Sequence, residues 1–202
     1  MKKLSILALF VAGFVFTNAQ EETTYGFGEG DVFVEGNIGF NSTNDKNTDI
    51  KINSFEFNPK AGYFISEDFA VGVQLSIANE TVDTSAAEAK ENAFGAGAFA
   101  RYYFLELGQR FKTYGEFGLG FISYKSEFGS IESKASGFGA ELGLGMNYFV
   151  TENIAIGFAL SDILAYNSYK QDGGEAISEF NGNINVFNNF FSTAQFGLTF
   201  KF

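Results

Sequence analysis

The C-terminal eleven residues alternate between two kinds of side chain. Ala194, Phe196, Leu198, Phe200 and Phe202 share one parity, and Thr, Gln, Gly or Lys occupies each position between them. A period of two places successive side chains on opposite faces of a β-strand. The last strand of an open sheet has unpaired backbone groups along its outer edge, and these groups are satisfied only if another strand pairs with that edge. The pattern therefore predicts a closed barrel.

The same alternation recurs in seven earlier stretches of the chain. In the first stretch, Val32, Val34 and Ile38 share one face, and Glu35 and Asn37 share the other. Each stretch predicts a strand with one apolar face and one face of polar or small residues. The eight predicted strands span residues 31–41, 54–65, 71–77, 94–104, 114–121, 138–148, 154–161 and about 190–202.

The connections between these strands alternate between long polar segments and short turns. The long segments cover 41–53, 79–91, 126–133 and 167–189, and the short turns cover 66–68, 106–110 and 151–153. Transmembrane barrels have long outer loops and short periplasmic turns, and strands of roughly 9 to 13 residues suit a tilted bilayer crossing. We therefore predict an all-β fold, an eight-stranded antiparallel up-and-down transmembrane β-barrel with both chain ends on the periplasmic side. The barrel must close because lipid offers no partner to edge amides.

A soluble eight-stranded barrel of lipocalin type is the main alternative, with the apolar face turned toward a ligand cavity. The polar face argues against it because it is rich in glycines such as Gly95 and Gly97, whereas a water-facing strand carries long charged side chains. The apolar face places Tyr63, Tyr102 and Tyr148 near strand ends, as in the aromatic girdles of membrane barrels. The membrane barrel is the favoured prediction.

The beginning of the chain has the pattern of a secretory signal. A basic start precedes the apolar run Leu4–Phe16, and Thr17–Ala19 offers small residues for cleavage before Gln20. A retained transmembrane helix is the alternative, but the apolar run is shorter than the roughly 20 residues that a bilayer needs. The predicted organisation is a cleaved signal over 1–19, a flexible periplasmic lead-in over 20–30 and the barrel over 31–202.

Composition agrees with this class of protein. The chain has 24 Gly, 27 Phe and 9 Tyr but one Pro, which suits many strands joined by turns. It has no Cys, which excludes a disulfide framework and a lipoprotein anchor. The formal net charge of −11 argues against a nucleic-acid partner, whose phosphates need a basic surface.

Three segments carry a resemblance to a known family: Phe55–Phe64 before its short turn, Ala100–Phe104, and the terminal Gly197–Phe202. With the signal and the eight strands, they make the chain resemble the small Gram-negative outer-membrane β-barrels, related in plan to the OmpA and OmpX barrels. The resemblance implies a monomer in outer-membrane lipid. It also implies insertion by the barrel assembly machinery, with Phe200 and Phe202 as the C-terminal assembly signal.

Charged side chains recur on the face that we predict to point inward. An eight-stranded barrel is barely wide enough for its own side chains, so these charges are expected to pair and to plug the interior. We expect Arg101 and Lys60 to bridge carboxylates as a stabilising core, a role favoured over a proton or solute path. The predicted carboxylate partners are Glu56, Glu116 and Glu141, and the full inward set is Glu35, Glu56, Lys60, Arg101, Glu116, Glu141 and Lys201.

The chain contains no His, which argues against catalysis. Enzymes among outer-membrane barrels resemble one another in using His as a general base, and His has the pKa that such a role needs. No catalytic residues, cofactor or metal site are predicted. Acidic loop residues leave Ca²⁺ binding open, but they show no recognisable ligand spacing.

The outer loops are predicted to be acidic, and a solvated rim is favoured over a binding surface for them. Residues 181–189 either lengthen strand eight or pair with a partner edge. The predicted function is a structural or surface-interaction role for a plugged barrel with long acidic outer loops. A narrow channel for small solutes or ions is the alternative, and a lipocalin-like binder or a membrane enzyme ranks below it.

Overall fold

The computed structural model describes residues 24–84, 87–182 and 195–202, which contain nine strands and no helix. The predicted signal, 1–19, lies outside the described residues. The strands are β1 Val32–Asp45, β2 Ile50–Phe64, β3 Phe69–Asp83, β4 Glu88–Leu107, β5 Phe111–Phe128, β6 Ile131–Phe149, β7 Ile154–Gln171, β8 Ala176–Gly182 and β9 Gln195–Lys201.

The strands form one closed antiparallel barrel with eight positions around its wall. Each of β1 to β7 pairs with the next strand in the chain, and β9 closes the ring between β7 and β1. The eighth position holds two described segments, because β8 pairs with the second half of β7 and β9 pairs with its first half. The predicted fold class, an eight-stranded transmembrane barrel, is confirmed.

The prediction of long polar loops is wrong for the described residues. The strands run for 14 to 20 residues from β1 to β7, and the connections at both ends of the barrel are short. Residues assigned to outer loops instead continue the ladder as paired hairpins, such as Glu127 opposite Glu132. The segment 167–182 is likewise strand up to Gln171 and again from Ala176 to Gly182, whereas 183–189, including most of the stretch 181–189 predicted to lengthen strand eight or to pair with a partner, lie outside the described residues. We call these four paired projections, β1–β2, β3–β4, β5–β6 and β7–β8, the extracellular arms.

The outside of the barrel is apolar along its middle. Exposed Val, Ile, Leu and Phe side chains occur on every strand there, including Val73, Leu119 and Leu198. Lipid rather than water is the solvent for this band, so its burial is supplied by the membrane. Tyr63 and Tyr102 are exposed at the band's lower edge, the end opposite the arms. That end is the periplasmic end, because transmembrane barrels project their longer elements outward.

No helix in the described part of the chain is long and apolar enough to cross a membrane.

One proline and one glycine explain two local features of the barrel wall. The β2–β3 ladder skips from Phe57 to Lys60 around Pro59, which lacks an amide hydrogen to donate. Gly72 sits where an added Cβ would lie 2.3 Å from the carbonyl oxygen of Ala61.

Candidate functional site in the barrel interior

Arg101 on β4 is the centre of the interior charge network. Its side chain is fully buried, and its Nε donates a hydrogen bond of 2.7 Å to Glu116 Oε2 on β5. Its Nη1 donates across the lumen to Glu35 Oε2 on β1 at 2.9 Å. The guanidinium also lies over the Tyr114 ring, with Cζ 4.0 Å from the ring centroid. One cation thus forms ion pairs with two carboxylates from two different parts of the wall.

Further polar groups complete the network. Lys60 on β2 forms an ion pair with Glu116. The Tyr103 hydroxyl donates to Asn147 Oδ1 at 2.7 Å, and Asn147 Nδ2 donates to Thr199 Oγ1 at 3.1 Å. Among the described residues, every buried side-chain nitrogen and oxygen has a hydrogen-bond partner. The buried part of the interior is therefore a hydrogen-bonded polar core, as a low-dielectric environment requires.

An aromatic cluster packs inside the barrel on the periplasmic side of this network. Phe33 and Phe64 are fully buried with ring centroids 5.6 Å apart, and Phe99 packs 6.0 Å from Phe33. Phe149 is also buried there. The sequence analysis missed this cluster as a site, although large aromatic residues on an otherwise small and polar face were an available signal.

The residues before β1, within the segment 20–30 predicted as a flexible lead-in, pack against the same cluster. Phe27 stacks on Phe64 with centroids 4.4 Å apart, and it also contacts Phe149. The Tyr25 hydroxyl accepts a hydrogen bond of 2.6 Å from Arg110. Residues 24–30 are thus docked in the periplasmic mouth of the barrel. Residues 20–23 lie outside the described part of the chain.

A cavity of about 1000 Å³ lies on the extracellular side of the network. Its floor includes Glu35, Lys60, Tyr114 and Glu116, and its wall rises along glycine-rich strand segments. Glu56 lines the cavity and is nevertheless exposed to solvent, so the cavity opens to the outside. Glycines leave this space because they place no side chain on the inner face of the wall.

The structure distributes the seven predicted charged residues among three places. Glu35, Lys60, Arg101 and Glu116 form the network, although Glu35 was not among the expected partners of Arg101 and Lys60. Bridges to Glu56 and Glu141 were also expected, but the ion pairs of Arg101 and Lys60 are with Glu35 and Glu116. Glu56 accepts a hydrogen bond from Asn58, and Glu141 lines the cavity beside Gly118. Lys201 lies at the periplasmic mouth, where its Nζ donates to Gly26 O at 2.8 Å.

The two terminal aromatics expected to act as an assembly signal lie at the seam between β9 and β1. Phe200 is the register partner of Val34, and the amide of Phe202 donates to Val32 O at 2.9 Å. Both share the outward parity of the apolar band. The described residues contain no group of three or more His, Cys, Asp or Glu side chains placed to hold a metal ion.

The extracellular arms carry charges of both signs. Lys125 forms ion pairs with Glu127 and Glu132, and Lys134 also pairs with Glu132. At the tip of β1, the Asn47 backbone amide donates to Asp45 at 2.8 Å and holds the pKa of that carboxyl below its usual value. Of these pairs, Lys125–Glu132 joins the two strands, and exposed ion pairs of this kind stabilise a ladder only modestly in water.

A closed barrel with an apolar outer band, aromatic girdle residues and a polar, ion-paired interior defines an integral outer-membrane β-barrel protein. The model of the outer membrane protein beta-barrel domain family matches residues 6–202, so the chain belongs to that family and to the outer membrane.

Solved structures resemble this chain in fold. The outer membrane protein OprG from Pseudomonas aeruginosa is 14% identical with a TM-score of 0.54, and the match covers 89% of this chain and 99% of OprG. The E. coli outer membrane protein W is 14% identical with a TM-score of 0.47, covering 87% and 99%. Ail, the attachment invasion locus protein of Yersinia pestis, is 16% identical with a TM-score of 0.45, covering 86% and 99%. No curated protein matches the chain in sequence.

Proposed function

We propose that the protein is a closed, non-conducting barrel that presents its extracellular arms at the cell surface, as a monomer without catalytic activity. The observation that supports this most directly is the presence of two layers of side chains across the lumen, which we propose act as seals. Arg101 and its carboxylates form one layer, and the aromatic cluster with Phe27 forms the next layer below. An eight-stranded barrel has little room for a water path beside such side chains.

The shape of the arms supports a surface-interaction role. Their paired strands hold side chains at fixed positions above the membrane, where unpaired loops would need ordering before they bind. The β5–β6 arm ends with Phe128 and Ile131 on either side of its turn, and these side chains are 59% and 69% exposed. Exposed apolar groups at a rigid tip are suited to contact with another surface.

For insertion into the outer membrane, we propose that the barrel assembly machinery binds the edge of β9 that carries Phe200 and Phe202.

Single-channel conductance in planar bilayers tests the closed state. The expected result for the folded protein is silence, with heat-modifiable gel mobility as the control for folding. Steady openings in the unmodified protein would contradict the proposal. A matched pair of variants then separates the two seals: Phe27→Ala removes the docked lead-in aromatic, and Arg101→Ala removes the cation of the network.

A narrow channel is the second candidate, and the cavity of about 1000 Å³ is the observation that favours it. The cavity already occupies the extracellular half of the lumen, so displacing the two seals is all that conduction requires. If Arg101→Ala opens the barrel while Phe27→Ala does not, the ion-paired layer is the barrier and the channel function gains support.

A further inference from the structure

The extracellular cavity has the form of a binding vestibule. It has a floor at the Arg101 network, a wall of strand segments and an opening to solvent above Glu56. Small-molecule sites are commonly concave, of about 300–1,000 Å³, with a few fixed polar groups. The cavity lies at the upper end of that range. Its floor is rigid because each of its charged groups is already paired.

The charges around the cavity are unbalanced. Four carboxylates line it, those of Glu35, Glu56, Glu116 and Glu141, whereas Lys60 is the single cation among its lining residues. Adding Arg101 from the layer below gives two positive charges against four negative charges, a net charge of −2. A cleft with one dominant sign of charge and low-dielectric walls concentrates oppositely charged solutes. The vestibule therefore attracts cations.

The two carboxylates above the network face each other across the lumen. Glu56 lies on β2 and Glu141 on β6, and these strands are four positions apart in a ring of eight. Amide side chains also line the cavity, among them Asn58, Gln74 and Asn167. A ligand with separated amino groups can approach both carboxylates and satisfy its remaining donors on the amide oxygens.

Other classes of ligand fit this space poorly. Charged and amide side chains line it, among them Glu56, Lys60 and Gln74, so an apolar ligand would remove water from these groups without replacing its hydrogen bonds. An anion would approach the net negative charge of the lining. A bare metal ion lacks a preformed ligand set, since the described residues contain no cluster of three or more His, Cys, Asp or Glu placed to bind one.

We propose that the extracellular vestibule binds linear di- and polyamines, with Glu56 and Glu141 receiving amino groups at opposite walls. The site lies above the seals, so binding does not depend on whether the barrel conducts. Arg101 and Lys60 form ion pairs with Glu35 and Glu116, so replacing Glu56 and Glu141 leaves those ion pairs in place.

Titration calorimetry of the full folded chain in detergent micelles tests the proposal, with spermidine as the probe at low ionic strength. Glu56→Gln combined with Glu141→Gln is expected to weaken spermidine binding by roughly a hundredfold, about tenfold for each carboxylate. The matched control combines Asp172→Asn with Glu175→Gln, which removes two charges from an exposed arm turn and should change the affinity by less than about twofold. Gel mobility verifies that each variant is folded.

A second variant tests the site without removing a carboxylate. Gln74→Lys places an ammonium group in the cavity wall and should weaken binding by roughly tenfold. As a matched ligand pair, 1,4-diaminobutane should bind more tightly than butylamine, which has the same chain and one amino group. The proposal is overturned if the unmodified protein binds no spermidine, if the exposed-turn control loses as much affinity as the cavity variant, or if the monoamine and diamine bind equally.

Discussion

Replacement of Arg101 tests whether the interior charges stabilise the barrel. Arg101→Met keeps most of the side-chain volume but removes the cation, which leaves Glu35 without its ion-pair partner and Glu116 with Lys60 alone. Removing one partner from a buried ion pair costs about 3–5 kcal/mol, because the remaining charge stays desolvated. We expect the free energy of unfolding to fall by about 3 kcal/mol. This is the lower end of that range, because water in the cavity can partly solvate the carboxylates of the network.

A double variant separates the charge from the side chain itself. Arg101→Met with Glu35→Gln leaves the neutral Lys60–Glu116 pair, so stability should return to within about 1 kcal/mol of the unmodified protein. Lys125→Met is the surface control: that lysine has two carboxylate partners but is 41% exposed, so its loss should cost less than about 1 kcal/mol.

The assay is urea unfolding in lipid vesicles, followed by gel mobility of the folded form. Circular dichroism provides an independent second signal, since the chain has no Trp. An unchanged midpoint for Arg101→Met would refute the reasoning. So would a double variant no more stable than the single one, because the cost would then come from packing rather than from an unpaired carboxylate.

Three further results are expected. Phe27→Ala should lower the free energy of unfolding by about 2 kcal/mol in the same assay, because it removes a ring from the periplasmic seal. Gly72→Ala should give no heat-modifiable band, since its Cβ has no room, whereas Gly157→Ala, with 3.5 Å to its nearest neighbours, should fold normally. An NMR titration should find that the pKa of the Asp45 carboxyl lies below the ordinary aspartate value of 3.8, because the Asn47 amide stabilises the charged form. The hydrogen bond therefore contributes to stability above pH 3.8, and this contribution is lost as the pH falls through the lowered pKa.

The alternation of apolar and polar side chains predicted the strands of the barrel wall because the membrane requires this alternation. An apolar residue is needed at each outward position within the membrane, so Phe117 and Leu119 mark the outward side of β5 unambiguously. Above the membrane, both faces of a strand contact water and the period of two in hydrophobicity disappears. The arms were therefore mistaken for loops, although their backbone pairing continues to Phe128 and beyond the turn from Ile131.

Which charged side chains pair inside the lumen depends on how the strands are arranged around it, and the pattern of a single strand does not predict that arrangement. Arg101 and Glu116 are register neighbours on adjacent strands, and alternation alone makes them plausible partners. Glu35 is three strands away from Arg101 and reaches it only because the lumen is narrow and its side chain extends across. The docking of Phe27 had no periodic signal, since the short segment before β1 belongs to no strand.

The ion-paired layer ties together strands that are remote along the wall, and this has a consequence for assembly. Its members lie on β1, β2, β4 and β5, so the layer forms only when all four strands have slid into their correct alignment. A slip by one residue turns a strand's inward side chains toward the membrane. For the strand of Arg101, that error would place a guanidinium in hydrocarbon at a cost of several kcal/mol. The interior charges therefore favour the correct strand alignment over alignments shifted by one residue.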